Sequence, residues 1–254
     1  VNSTIETILA DVFLFPMSDH RFASPTSGLH QLPPPGSSLY YVLQMVPSPR
    51  RALMRDWWQW WHEISSIPFN VQDPGVAEAK LNWWDQEIQQ ASAGQANHPL
   101  TQSVFSPRNT QGEQTRLPEV ALWRSQINGQ INLVHQTRWL DAASLQQHVD
   151  QTTGSAAEGC AVILGAHSEA ARQAARTLGL GWRQVHQLAR LGQDARAGWV
   201  HVAVNVLQEH DVKAHELTKP APQAGPHFPK LIESLSDSAT GHLKTGLQAI
   251  RKLP

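Results

Sequence analysis

Glu63 follows His62 in the run WWQWWHEISSIPFN, and Asp194 lies four residues after Arg190 in ARLGQDAR. A carboxylate on a helix can ligate a divalent cation, and an arginine one turn away from one can belong to a phosphate site. Each pattern also has an ordinary explanation. A single carboxylate makes a poor Mg²⁺ site, and Arg and Asp at i,i+4 form a common helical ion pair. Ser37 and Ser38 can hydrogen-bond a phosphate at a helix start or simply cap that helix. Arg50, Arg51 and Arg55 can receive an anion or make a solvated basic face. Of the thirteen histidines, none completes an HExxH pair, so the arrangement that sets two imidazoles and a carboxylate on one helical face is missing. Glycine-rich nucleotide loops and the GxSxG elbow are missing too.

These side chains must be positioned by helices. Apolar residues recur at helical spacing over residues 2–15, 37–67 and 76–90, the second with a break near Pro47 and Pro49. Residues 18–36, with PPPG, read as a loop. A short helix follows His98 and Pro99, then a polar loop over 107–116. Pro118 suits the first turn of a helix reaching about Arg138. Asp141 can cap AASLQQHV, residues 152–164 form a small-residue helix ending at Gly165, and Ser168 opens a helix to Arg190 across a weak point at Gly179 and Gly181. After a proline-rich loop over 219–230, residues 231–251 make a last amphipathic helix. No stretch shows strand alternation, so the expected class is all-α.

Composition narrows the function classes. The chain has 254 residues and a formal net charge of -1, with 20 basic residues scattered along it, which argues against a nucleic-acid partner. No apolar run reaches the roughly 20 residues that span a bilayer, and no signal-peptide pattern opens the chain. The single cysteine, Cys160, excludes an internal disulfide. A soluble, cytoplasmic protein is expected, with peripheral membrane contact left open.

Several pieces in order resemble the squalene and phytoene synthase family. GSSLYYVLQMVPSPRRALMRDWWQWWHEI (36–64) is similar to its opening helix pair, and KLNWWDQEI (80–88) with HPL (98–100) to the next helix and its exit. LDAASLQQHVDQTTGSAAEGCAVILG (140–165) looks like the central helices, and LGLGWRQVHQLARLGQDARAGWVHV (178–202) like the second acidic region. The likeness covers roughly residues 37–254 and implies an isoprenoid-synthase helical bundle with a central cavity. It implies one domain over 1–254, with 1–36 as an extension and loop. In that family two facing helices present aspartates to Mg²⁺ and prenyl diphosphates for head-to-head condensation.

Carried over residue by residue, the first motif's aspartates fall on Ser65, Ser66 and Phe69, and the arginine before its glutamate falls on His62; Glu63 alone is retained. The second pair falls on Arg190 and Asp194, or one residue later on Leu191 and Ala195. The family's central tyrosine is missing, with His148 and Gln151 nearby. A charge pair near 4 Å at an effective dielectric of 20 contributes roughly 4 kcal/mol, and about 1.4 kcal/mol is tenfold in rate. Losing three or more carboxylates should therefore abolish two-metal ionisation.

On a helical wheel Met54, Trp58, Trp61, Ser65 and Phe69 share one sector, with His62 at its edge. This sector is either aromatic core or the neutral wall of a pocket. The expected binding residues are Ser37, Ser38, Arg51, Trp58, His62, Ser65, Phe69 and Arg190. Pro68 should bend or stop the helix near Ile67. The expectation is a catalytically degenerate member that binds an isoprenoid, a lipid or a protein partner and needs no cofactor. The alternative is an active prenyltransferase that uses Mg²⁺ on Glu63, Asp194 and Asp73.

Overall fold

The computed structural model describes residues 33, 36–106, 116–219 and 225–251. The helix expected over 2–15 lies outside them, as do most of the loop over 18–36, residues 107–115 and residues 220–224. Every regular element among the described residues is helical, as the periodicity predicts.

Capping residues set most of the boundaries. Ser37 accepts the Tyr40 N–H at 3.2 Å and opens α1, Ser38–Met45. Pro47 separates it from α2, Ser48–Asn70. Asp73 accepts from Val76 at 3.0 Å, with Pro74 in the first turn, to start α3, Pro74–Ser92. His98 and Pro99 open α4, Pro99–Val104. α5 is Val120–His135. Asp141 caps α6, Ala142–Val149, and Ser168 caps α8, Glu169–Arg196. Between α6 and α8 comes α7, Ser155–Ile163, and after α8 come α9, Val204–Glu209, a 3₁₀ turn at Ala214–Thr218, and α10, Phe228–Arg251.

Several boundaries differ from expectation. α2 does not stop at Ile67 but runs on to Asn70 through Pro68. A proline this near the end deprives only the Ile64 carbonyl of its helical donor, and Ile67 and Pro68 are both buried. α6 and α7 are joined by a π-helical turn at Asp150–Gly154 rather than separated; Arg176 holds the Asp150 carboxylate there, donating from Nε at 3.1 Å. α8 crosses Gly179 and Gly181 unbroken and runs on past Arg190 to Arg196. α5 ends at His135, where Gln136 turns extended, and α10 starts at Phe228.

Those glycines in α8 are contact points. A Cβ on Gly179 would come within 2.8 Å of the Thr153 carbonyl oxygen, and one on Gly181 within 2.9 Å of the Leu243 backbone nitrogen. Across the same crossing, a Cβ on Gly246 would meet Leu178 at 2.7 Å. Each helix thus seats a leucine over the other's glycine, and α8 and α10 pack closely along their length.

α2 is enclosed by α1, α3, α4, α5 and α7. Trp57 and Trp60 meet Trp123 of α5 edge-on, with centroids at 4.4 and 4.5 Å, and all three are fully buried. The Trp57 ring lies where a Cβ on Gly159 would stand. A second apolar cluster, with Leu191, Ala195, Val200, Leu207 and Leu231, closes the far end of α8.

Candidate functional site

Two helical faces carry the polar groups that the sequence singled out. On α2, Trp58, Trp61 and Ser65 are all buried. Trp58 and Trp61 meet edge-on at 5.8 Å. The Ser65 hydroxyl donates to its own helix at the His62 carbonyl, 3.3 Å, and the Ser66 hydroxyl to the Glu63 carbonyl, 2.9 Å. Burial lowers the His62 pKa and holds its imidazole neutral. Glu63 reaches solvent, yet the protein around it strips part of its hydration and raises its carboxyl.

The end of α2 meets the exit of α8. Gly198, at φ 93, closes α8, and the Trp199 N–H donates back to the Asp194 carbonyl at 2.9 Å. This turn sets the Trp199 ring against Phe69, centroids 4.8 Å apart.

The polar face of α8 presents Arg183, His186, Gln187, Arg190 and Asp194, one stripe at helical spacing. Leu191 and Ala195 instead pack in the second apolar cluster, so of the two registers the polar one is Arg190 with Asp194. Arg190 donates from Nε to Asp194 at 3.3 Å, and His201 Nε2 lies 3.9 Å from the same carboxylate. Arg183 and Gln187 are buried. Burial, with Arg190 close by and Asp194 opposing, lowers the Arg183 guanidinium to about 10.

Three histidines on or beside this stripe are uncharged. His148, 3% exposed, stacks on Trp139 at 4.7 Å. Burial and the nearby Arg183 lower its pKa to about 3; it donates to the Gly129 carbonyl, and its Nδ1 has no hydrogen-bond partner. Burial lowers His186 to about 4, and neither of its ring nitrogens is partnered. His201 is pushed well below its usual range, again chiefly by burial.

Beside the stripe lies a cavity of about 220 Å³ between α6, α8, α9 and α10. Leu145, Leu180, Leu188 and Leu235 form its apolar walls, and Gln187 and His201 stand where it meets the polar face. Neither Ser65, Trp58 nor Trp61 lines it.

The remaining sequence candidates hold the scaffold together. Ser37 caps α1, and Ser38 is the first residue of that helix. Arg51 donates to the carbonyls of Val46 and Gln44 at the end of α1, 3.0 to 3.2 Å. Arg50 donates to the Leu164 carbonyl and Arg55 to Asp56. Glu87 binds the start of α4: burial opposes its charge, but hydrogen bonds from His98, Thr101 and Asn97 outweigh it and hold the carboxyl low. Asp73 is an N-cap. Arg183, His186, Gln187 and His201 were not singled out by sequence, because a polar stripe at helical spacing ordinarily faces water.

The donors in the two faces do not fit a pair of Mg²⁺ ions. Each face offers one carboxylate, the serine hydroxyls are turned to their own backbone, and Asp194 is already engaged by Arg190. Two arginines beside one carboxylate repel a further cation. Among the described residues, no three His, Cys, Asp or Glu side chains gather as a metal site.

The fold has solved counterparts. A dehydrosqualene synthase, crystallised in complex with a ligand, superposes with a TM-score of 0.71 at 15% identity, covering 82% of this chain and 70% of its own. Squalene synthase HpnC from Alicyclobacillus acidocaldarius gives a TM-score of 0.73 at 13% identity, covering 85% of this chain and 79% of its own. Together they establish the isoprenoid-synthase helical fold. No curated protein matches the sequence significantly. The sequence profile of squalene/phytoene synthase matches residues 32–254. The chain belongs to the squalene/phytoene synthase family.

Proposed function

We propose that this protein works by binding an apolar ligand of lipid or isoprenoid type and does not ionise prenyl diphosphates. One observation carries this reading: Arg190 and Asp194 form an ion pair on α8, with Arg183 beside it, at the positions to which the family resemblance carries the second pair of aspartates. A diphosphate brings several negative charges, and departure of the leaving group needs divalent cations to stabilise it. Here the charge balance of the α8 face is already cationic, and the α2 sector is buried tryptophan and serine with Phe69 against Trp199. Such surroundings favour apolar contact over metal-assisted ionisation.

Native mass spectrometry of the freshly purified full chain tests the binding half of this reading. It is expected to show a co-purified apolar molecule, released and identified by solvent extraction. Protein free of any adduct, and unchanged in melting temperature on adding farnesol or phospholipid, would count against it.

A further inference from the structure

We propose that the cavity between α6, α8, α9 and α10 binds a small apolar monocarboxylate, with its chain among Leu145, Leu180, Leu188 and Leu235 and its head at Gln187 and His201. The site is separate from the α2 wall. It refines the binding reading by naming a ligand class, and it stands whether or not the chain also processes prenyl diphosphates.

Size comes first. A cavity of roughly 150 Å³ holds a benzene ring, so one of about 220 Å³ takes a body of about nine heavy atoms by the same scaling. That suits a medium-length acyl chain and is too small for a long prenyl chain. Four leucines supply walls that gain from excluding water.

The polar end is built and incompletely satisfied. Gln187 is 7% exposed, and its Nε2 has no hydrogen-bond partner. Buried polar groups are ordinarily paired, so a donor left open beside a cavity points to an acceptor brought by a ligand. His201, also buried, lines the same cavity and lies 3.9 Å from Asp194, beyond hydrogen-bonding distance.

Charge selects the kind of acceptor. The stripe of α8 that holds Gln187 also carries Arg183 and Arg190 against Asp194, two positive charges to one negative. The histidines that share the region, His148, His186 and His201, are neutral at pH 7. The excess is one positive charge in a poorly solvated place. A carboxylate matches it; a phosphate monoester carries about -1.5 to -2 at neutral pH and overshoots it.

Isothermal titration of the full-length protein with octanoate, 1-octanol and octyl phosphate decides the matter. Octanoate is expected to bind at least tenfold more tightly than either of the others. Leu188→Trp, which fills the cavity, should abolish octanoate binding, and Gln187→Leu should reduce it several-fold while circular dichroism stays native. Arg183→Gln should erase the advantage over octanol; if that variant does not fold, the three-ligand comparison and Leu188→Trp still decide. Octanol or octyl phosphate binding as tightly as octanoate, no octanoate binding, or full affinity in folded Leu188→Trp would each overturn the proposal.

Discussion

Asp194 is the residue on which the charge balance of the site turns. Its side chain and that of Arg190 are each less than a fifth exposed, so removing its charge leaves the Arg190 guanidinium without that ion pair and with little water to screen it. Asp194→Asn is predicted to lower stability by about 2 kcal/mol in urea unfolding; a loss below about 0.5 kcal/mol would place the pair among ordinary exposed ones. The neighbouring histidines give a pH signature. His148 and His186 titrate near 3 and 4 in the fold and near 6.5 when unfolded. A depressed folded pKa means that their contribution is complete above about pH 6.5 and is lost as pH falls toward those values. Urea midpoints should therefore drop steadily from pH 7 to pH 4, and proton resonances of both imidazoles should stay unshifted above pH 5. The Cys160 thiol, pushed up to about 12 by burial and partly eased by the indoles of Trp57 and Trp58, should resist iodoacetamide at pH 8 until the protein unfolds. None of these environments could be read from the sequence. Arg183, His186 and Gln187 look like a solvated stripe until α6 and the exit turn of α8 are seen to cover them, whereas Ser65 and Phe69 could be placed by register alone.

At the scale of elements, caps were the most legible feature. Ser37, Asp141 and Ser168 each accept the backbone N–H three residues on, a local rule that needs no tertiary information, and Asp73, expected only as a metal ligand, does the same. Asp73→Ala should cost about 1 kcal/mol in thermal unfolding. Glycines inside helices were misleading, because intrinsic propensity counts them as weak points. In α8 their value lies in what a side chain would hit, and that depends on α10. Gly181→Ala is predicted to destabilise by roughly 1 to 3 kcal/mol, even though alanine is the better helix former; a stabilised variant would mean that α8 and α10 do not pack as described. The π-helical turn at Asp150–Gly154 was likewise invisible, since it depends on Arg176 reaching over from α8 to Asp150.

For the whole molecule, the all-helical class followed from helical periodicity and the family from several motifs in collinear order, while the activity proposed here turns on the charged residues of α2 and α8. By the family resemblance, serine and phenylalanine on α2 and arginine on α8 stand at positions where metal-bound diphosphates would need carboxylates. The most direct test incubates the purified chain with farnesyl or geranylgeranyl diphosphate and Mg²⁺ and analyses the products. No diphosphate release and no condensed hydrocarbon is the predicted result. Turnover that disappears in Glu63→Gln would contradict it.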